Sequence, residues 1–249
     1  MKNTGLALGG GAVLGAAHVG TVRAIEELNI RIHYIAGTSI GAFVAAFYAF
    51  GKNWKELEKI ASVMNWLDIT GISLSRYGLL SNEKLGDMVI EQIGDKNIED
   101  SEIPLAMVAT DITTGEKVIL KKGSVAQAVR ASTCIPGIFM PVEIDGQMLV
   151  DGGVVENVPV NTVKEMGAEY VIGVDLNAKY SYEKPDNILD VILNSFNFLM
   201  LQSDKLQTDN ADLLIKPDLS SFNRSDTDQV DELMKKGYED SINVLKKIT

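Results

Sequence analysis

The first sixty residues alternate short apolar runs and helical patterns in an order that few folds can accommodate. Leu6-Ala7-Leu8 enters Gly9-Gly10-Gly11, and from Ala16 the residues Val19, Val22, Ile25 and Leu28 fall at helical spacing. A second strand is predicted over Ile32 to Ala36. Gly37-Thr38-Ser39-Ile40-Gly41 then opens an almost wholly apolar segment, Ala42 to Phe50, which stops at Gly51. A helix that is apolar all round must be buried, and this one is far too short to cross a bilayer. A strand–helix–strand unit of this length demands a parallel sheet, since parallel neighbours need a crossover connection.

Further along, helical spacing is predicted over 54–64 and 82–93. Strands are predicted over 105–110, 117–121, 142–144 and 148–150, with Asp145-Gly146 as a hairpin turn between the last two. A helix over 160–166, a strand over 170–176, an apolar helix over 188–206, a strand over 213–215 and a helix over 228–247 complete the chain. No repeat, low-complexity tract or linker divides it. Residues 1–249 are therefore expected to form one three-layer α/β/α domain with a mainly parallel central sheet. Within it, 52–102 reads as a helical, lid-like insertion. Its irregular apolar stretch, with Trp66, Leu67, Ile69, Ile72, Leu74 and Tyr77, suits either a lid or ordinary core. The helix containing Leu189, Ile192, Leu193, Phe196, Leu199 and Met200 is expected to pack on the sheet, with lipid contact or a subunit interface as the other reading.

Composition removes several chemistries. The chain has 249 residues, with 23 Lys and Arg against 34 Asp and Glu for a net charge of −11. Neither half is basic, so nucleic-acid binding through bulk charge is excluded, and any contact with anionic membranes should be transient and hydrophobic. The one cysteine, Cys134, excludes an internal disulfide and a multi-cysteine metal site; it reads as a buried structural thiol. The start carries no charged region followed by an apolar core and cleavage site, so a cytoplasmic location is expected.

The G-x-S-x-G pentapeptide, with a strand before it and a helix after it, fits a nucleophile elbow. Such a turn lifts a serine hydroxyl clear of the sheet onto a helix N-terminus, where the dipole favours developing negative charge. A serine N-cap on a buried helix is the plainer reading. A serine nucleophile needs a base. Both histidines, His18 and His33, precede the elbow, so the order serine, acid, histidine is impossible. His33 lies about six residues before Ser39, roughly 20 Å away along an extended strand. His18, on the first helix, reads as a packing or hydrogen-bonding residue. A carboxylate or lysine is left as the base. Val150-Asp151-Gly152-Gly153 offers an acid at a strand end, where α/β sites gather. Asp111 and Asp175 also end predicted strands, and residue chemistry does not choose among the three. Gly9, Gly10 and Gly11 form an anion cradle suited to an oxyanion. Gly9, Gly11 and Gly15 also fit a variant dinucleotide loop, but the second strand lacks the terminal acid that ribose binding needs.

The ordered set of glycine loop, G-x-S-x-G and D-G-G, with no later histidine, resembles the patatin-like phospholipases. Further matching blocks are Tyr77-Gly78-Leu79-Leu80, Ala109 to Gly115, Arg130 to Gly137 and Asn157-Val158-Pro159, so the resemblance covers nearly the whole chain. It implies a Ser39–Asp151 dyad, an oxyanion hole from the N–H groups of Gly10 and Gly11 with Gly9, and supporting roles for Gly37, Gly41, Gly152 and Gly153. It implies lipid or other acyl-ester substrates, no cofactor and no catalytic metal. One departure is Leu14, where the family usually carries Arg or Lys. That departure motivates a second reading, a non-catalytic lipid-binding or regulatory protein on the same fold.

Overall fold

The computed structural model describes residues 2–64, 71–72, 80–179, 184–224 and 226–248. Its strands are β1 (Thr4–Leu8), β2 (Tyr34–Thr38), β3 (Gly71–Ile72), β4 (Leu80–Ser81), β5 (Leu105–Asp111), β6 (Lys117–Leu120), β7 (Val142–Ile144), β8 (Gln147–Asp151), β9 (Tyr170–Val174) and β10 (Leu213–Ile215). Its helices are α1 (Ala16–Glu27), α2 (Ile40–Ala49), α3 (Trp54–Val63), α4 (Glu83–Ile93), α5 (Val125–Ser132), α6 (Val160–Glu165), α7 (Ile188–Gln207) and α8 (Val230–Leu245). The predicted elements are all present with small changes of boundary, and the fold is α/β. Helix α5 is an addition. It spans eight residues, capped where the Ser124 hydroxyl accepts the Gln127 N–H, little more than two turns over which to read a period.

The sheet runs β10-β9-β1-β2-β5, all parallel, and continues through the antiparallel strands β8, β7 and β6. Alternation along the strands divides the core. Leu6 and Leu8 of β1 face a cluster with residues of α1, α2, α3, α4, α5 and α8, whereas Ala7, Ala36 and Ala106 face α6 through Val160 and Val163. Strands β1, β2 and β5 are thus covered on both faces, as parallel strands must be. Asp145 and Gly146 take φ of 51° and 78°, which suits the two-residue hairpin turn predicted between β7 and β8.

Two readings of the sequence are refined. Within 52–102, helix α3 buries Leu57 and Ile60 in the main core, and α4 packs on α5. Trp66, Leu67, Ile69, Leu74 and Tyr77 lie outside the described residues. Helix α7 does not lie flat on the sheet as expected. It packs on the turn at Gly152–Val154 and, through Ile192 and Leu193, on the cluster of Cys134, Ile138 and Phe139, burying Phe196 and Met200 and exposing Val191, Phe198 and Leu199.

Candidate active site

Strand pairing alone brings two of the candidate residues together. Val108 and Ala109 of β5 pair with Ile119 and Val118 of β6 on one edge. A strand has two edges, so their other partners share the second one. Those partners are Thr38, opposite Val108, and Asp151, opposite Ala109. Strand β2 runs parallel to β5 and β8 runs antiparallel. Their C-terminal ends therefore point at each other across a single peptide of β5. Ser39 follows Thr38 into this gap, and Asp151 closes it from the other side.

Ser39 has φ 54° and ψ −128°, a conformation costly for a residue with a Cβ and typical of a strained functional turn. Its N–H donates to Ser132 Oγ at 2.9 Å, and that hydroxyl donates to Val108 O at 2.7 Å. Ser132 thus ties the turn to β5. The flanking glycines are steric requirements. A Cβ on Gly37 would lie 2.3 Å from Gly41 O, and one on Gly41 would lie 2.1 Å from Leu8 O.

Asp151 is wholly buried. Its Oδ1 accepts the Gly153 N–H at 2.8 Å, while Oδ2 completes no hydrogen bond among the described residues. Burial pushes the carboxyl up to about 7; the Gly153 N–H and the neighbouring Ser39 hydroxyl oppose that rise. Ser39 is thus near enough to act on the acid, although no bond of ordinary geometry joins them. Gly152 lets the chain pass β5, since a Cβ there would meet Val108 O at 2.3 Å. Asp111 and Asp175 serve turns instead. Asp111 Oδ1 accepts the Thr113 N–H, and Asp175 Oδ1 accepts the Asn177 N–H.

The glycine loop departs from the expectation. Gly9 N–H donates to Val174 O at 3.1 Å, and Gly10 N–H donates to Asn157 Oδ1 at 3.0 Å. Both donors are spent inside the protein, so the cradle cannot use them in this arrangement. The N–H groups of Gly11 and Ala12 donate to no described residue, and both residues line the same cavity as Ser39. That cavity encloses about 1100 Å³ with its open mouth, and Leu193, Phe196 and Met200 of α7 form one wall. It also holds Lys184, Asp186, Asp190 and Arg224.

Residues 6–164 match the family model described as patatin-like phospholipase. The chain belongs to the patatin-like phospholipase family. The matched region ends inside α6, so β9, β10, α7 and α8 lie beyond it, a shorter span than the sequence resemblance implied. An NTE family protein of Mycobacterium tuberculosis is 37% identical over 177 residues, covering 69% of this chain and 48% of that protein. Lysophospholipase NTE1 of Saccharomyces cerevisiae is 33% identical over 182 residues, covering 70% of this chain and 11% of that protein. The chain therefore spans about half, or much less, of these relatives. Among solved structures, VipD from Legionella pneumophila has a TM-score of 0.62 at 14% identity, covering 99% of this chain and 67% of that one. The type III effector ExoU has a TM-score of 0.58 at 13% identity, covering 99% and 53%. At such identities the likeness is one of fold.

Within this patatin-like fold the glycine loop is pinned by side chains, His18 in the hydrogen-bonding role expected of it and Asn157, Asn177, Asp204 and Arg224 in roles that sequence reasoning missed. His18 Nε2 bonds Gly9 O at 2.7 Å; because a carbonyl only accepts, Nε2 carries the proton. Burial lowers His18 to about 4, so the ring is neutral, and it holds the loop as a structural residue. Asn177 Nδ2 donates to Gly10 O at 3.2 Å, and Arg224 donates to Asn177 Oδ1. Asn157 Nδ2 donates to Asp204 Oδ2 at 2.9 Å, so Asp204 fixes which end of the amide faces Gly10. Asp204, raised to about 7 by burial and by the charge of Asp175, anchors this chain of contacts from α7. Replacing Asn157 by alanine leaves Gly10 N–H without its acceptor and takes from Asp204 its side-chain donor, the Val158 N–H remaining. The expected loss is on the order of 1–3 kcal/mol of stability, measurable by urea unfolding.

The remaining candidates are structural. Cys134 Sγ donates to Met140 O, and burial pushes the thiol up to about 12. Arg130 reaches Glu83 at 3.8 Å and Asn82 Oδ1 at 3.4 Å, linking α5 to α4. His33 accepts the Thr4 N–H through Nδ1, at the opposite end of β1 from the glycine loop. Among the described residues no group of three or more His, Cys, Asp or Glu is arranged to hold a metal ion.

Proposed function

We propose that this chain is a serine acyl hydrolase acting on lipid acyl esters, with Ser39 as nucleophile and Asp151 as general base. The observation that carries this reading is the gap between β2 and β8, where a strained serine faces a buried carboxyl with an unpartnered oxygen. The names of the family and its relatives favour a lipid ester as substrate, and a phospholipid or lysophospholipid is the narrower proposal.

Ser39 Oγ attacks the ester carbonyl as its proton passes to Asp151 Oδ2. The N–H groups of Gly11 and Ala12 receive the oxyanion, and the N-terminus of α2 adds favourable potential at the serine. Collapse of the tetrahedral intermediate expels the alcohol, which takes the proton from Asp151. Water then attacks the acyl-enzyme, Asp151 accepts its proton, and release of the acid restores both groups. Leu14 is wholly buried, so it brings no charge to the site; its contact there is made by backbone, its N–H donating to Gly11 O at 3.1 Å. The backbone donors do not depend on it.

The base must be ionised to act. With the carboxyl at about 7, kcat/KM should climb as pH rises and level off above that value. Between pH 6 and pH 8 the expected gain on p-nitrophenyl butyrate is about tenfold. A flat profile over that interval counts against Asp151 as the base.

A further inference from the structure

A second cavity lies on the other side of the glycine loop. It runs between α1, α2 and α3, with Val230 of α8 also on its wall; its free space is about 460 Å³ counted together with the mouth and adjoining solvent, against about 30 Å³ within. Every residue that lines it is apolar or glycine; Val19, Phe43, Val44, Phe47, Ile60 and Ala61 form much of its wall. Two lining residues connect it to the nucleophile. Ala12, at φ 51°, lines both this crevice and the cavity of Ser39, and Ile40 is the residue after the nucleophile. The Ser39 cavity is different in kind, since it holds Lys184, Asp186, Asp190 and Arg224.

We infer that the crevice between α1, α2 and α3 is the subsite for the acyl chain, with the alcohol portion of the ester left in the charged cavity beside Ser39. This rests on the acyl-hydrolase reading and extends it to substrate shape. An unbranched hydrocarbon tail has no polar group for the crevice to satisfy. A polar or charged head group would lose its hydration there without gaining a partner. Ala12, with an N–H offered to the oxyanion, stands where the two halves of the ester diverge. Each methylene buried in the crevice should raise kcat/KM about fourfold until the space is filled.

The test pairs two substitutions on one helix. Ala61 is half-buried and faces the crevice, whereas Val63 is 80% exposed on the outer side of α3. With p-nitrophenyl butyrate and decanoate, Ala61→Trp should lower the decanoate-to-butyrate ratio of kcat/KM at least tenfold. Val63→Trp should leave that ratio within twofold. In a Ser39→Ala background, Ala61→Trp should weaken binding of 11-(dansylamino)undecanoic acid by a similar factor. A folded Ala61→Trp protein with ratio and binding unchanged overturns the proposal. Photolabelling the Ser39→Ala protein with a diazirine fatty acid needs no change in the crevice. Adducts on α1, α2 and α3 support the subsite, and adducts confined to 184–200 overturn it. Should the unmodified protein hydrolyse neither ester, the acyl-hydrolase reading fails, while probe binding and labelling still decide what the crevice holds.

Discussion

Replacing Ser39 by alanine is expected to cut hydrolysis of p-nitrophenyl butyrate by at least about 10³-fold, the scale on which loss of a nucleophile is felt. The protein should remain folded. Alanine keeps the Cβ that packs near Gly10, and although Ser39 is the N-cap residue of α2, the hydroxyl removed makes no capping bond. The circular dichroism spectrum and melting curve should match those of the parent. A fluorophosphonate probe should label the parent at Ser39 and leave the variant unlabelled. Equal turnover in the two proteins would show that the elbow is only a turn. Failure of the parent to react with the probe would favour the non-catalytic reading of the fold.

The second large effect joins activity to stability in opposite directions. Asp151→Asn preserves size and the bond from the Gly153 N–H but cannot take a proton from Ser39, so activity should again fall by about 10³-fold or more. The folded-state carboxyl lies at about 7, raised from 3.8 by burial. Below its unfolded value the protonated acid is accommodated at no ionisation cost. As pH rises through 7 the folded protein must hold a buried charge, and stability is lost. Asparagine carries no such charge. The variant should therefore melt above the parent at pH 8, by several degrees, and the difference should shrink toward pH 4. A variant less stable than the parent at pH 8 would contradict this account of the site. The pattern would mark Asp151 as a group retained for chemistry at the expense of stability.

Much of the architecture was legible because it is local. The alternation in β1 and the apolar helix after Gly41 follow from residue spacing, and the hairpin follows from Asp145-Gly146. Helix α5 escaped because it is only eight residues, little more than two turns, so its amphipathic pattern has no room to repeat. Ser39 was visible for the same local reason, as a serine between glycines at a strand end. Asp151 could not be separated from Asp111 and Asp175 by chemistry alone. What separates them is the edge of β5 on which β8 docks, a contact between residues 42 apart in sequence, Ala109 and Asp151. The glycine loop shows the same limit more sharply. Nothing in Gly9-Gly10-Gly11 reveals that two of its N–H groups are taken, because the acceptors are Val174 and Asn157. Side-chain bonds to a distant backbone leave no periodic trace. The resemblance had marked Asn157 without giving it a task.

The opposed ends of β2 and β8 make the sheet a ruler for the chemistry. Thr38, just before the proposed nucleophile, and Asp151, the proposed base, are indexed to consecutive residues of one strand, so the separation of Ser39 and Asp151 is a matter of hydrogen-bond register rather than of loop shape. A two-residue slip of β8 would keep every side chain on its proper face, and so would pass the test of hydrophobic burial. It would nonetheless carry the carboxyl roughly 7 Å along β5 and out of reach of the hydroxyl. Variation in the long connections between these strands leaves the spacing untouched, while an inserted residue between Val108 and Ala109 would alter it directly. Segments that line the Ser39 cavity, such as α7, can therefore diverge widely around a pair whose alignment is held by three strands.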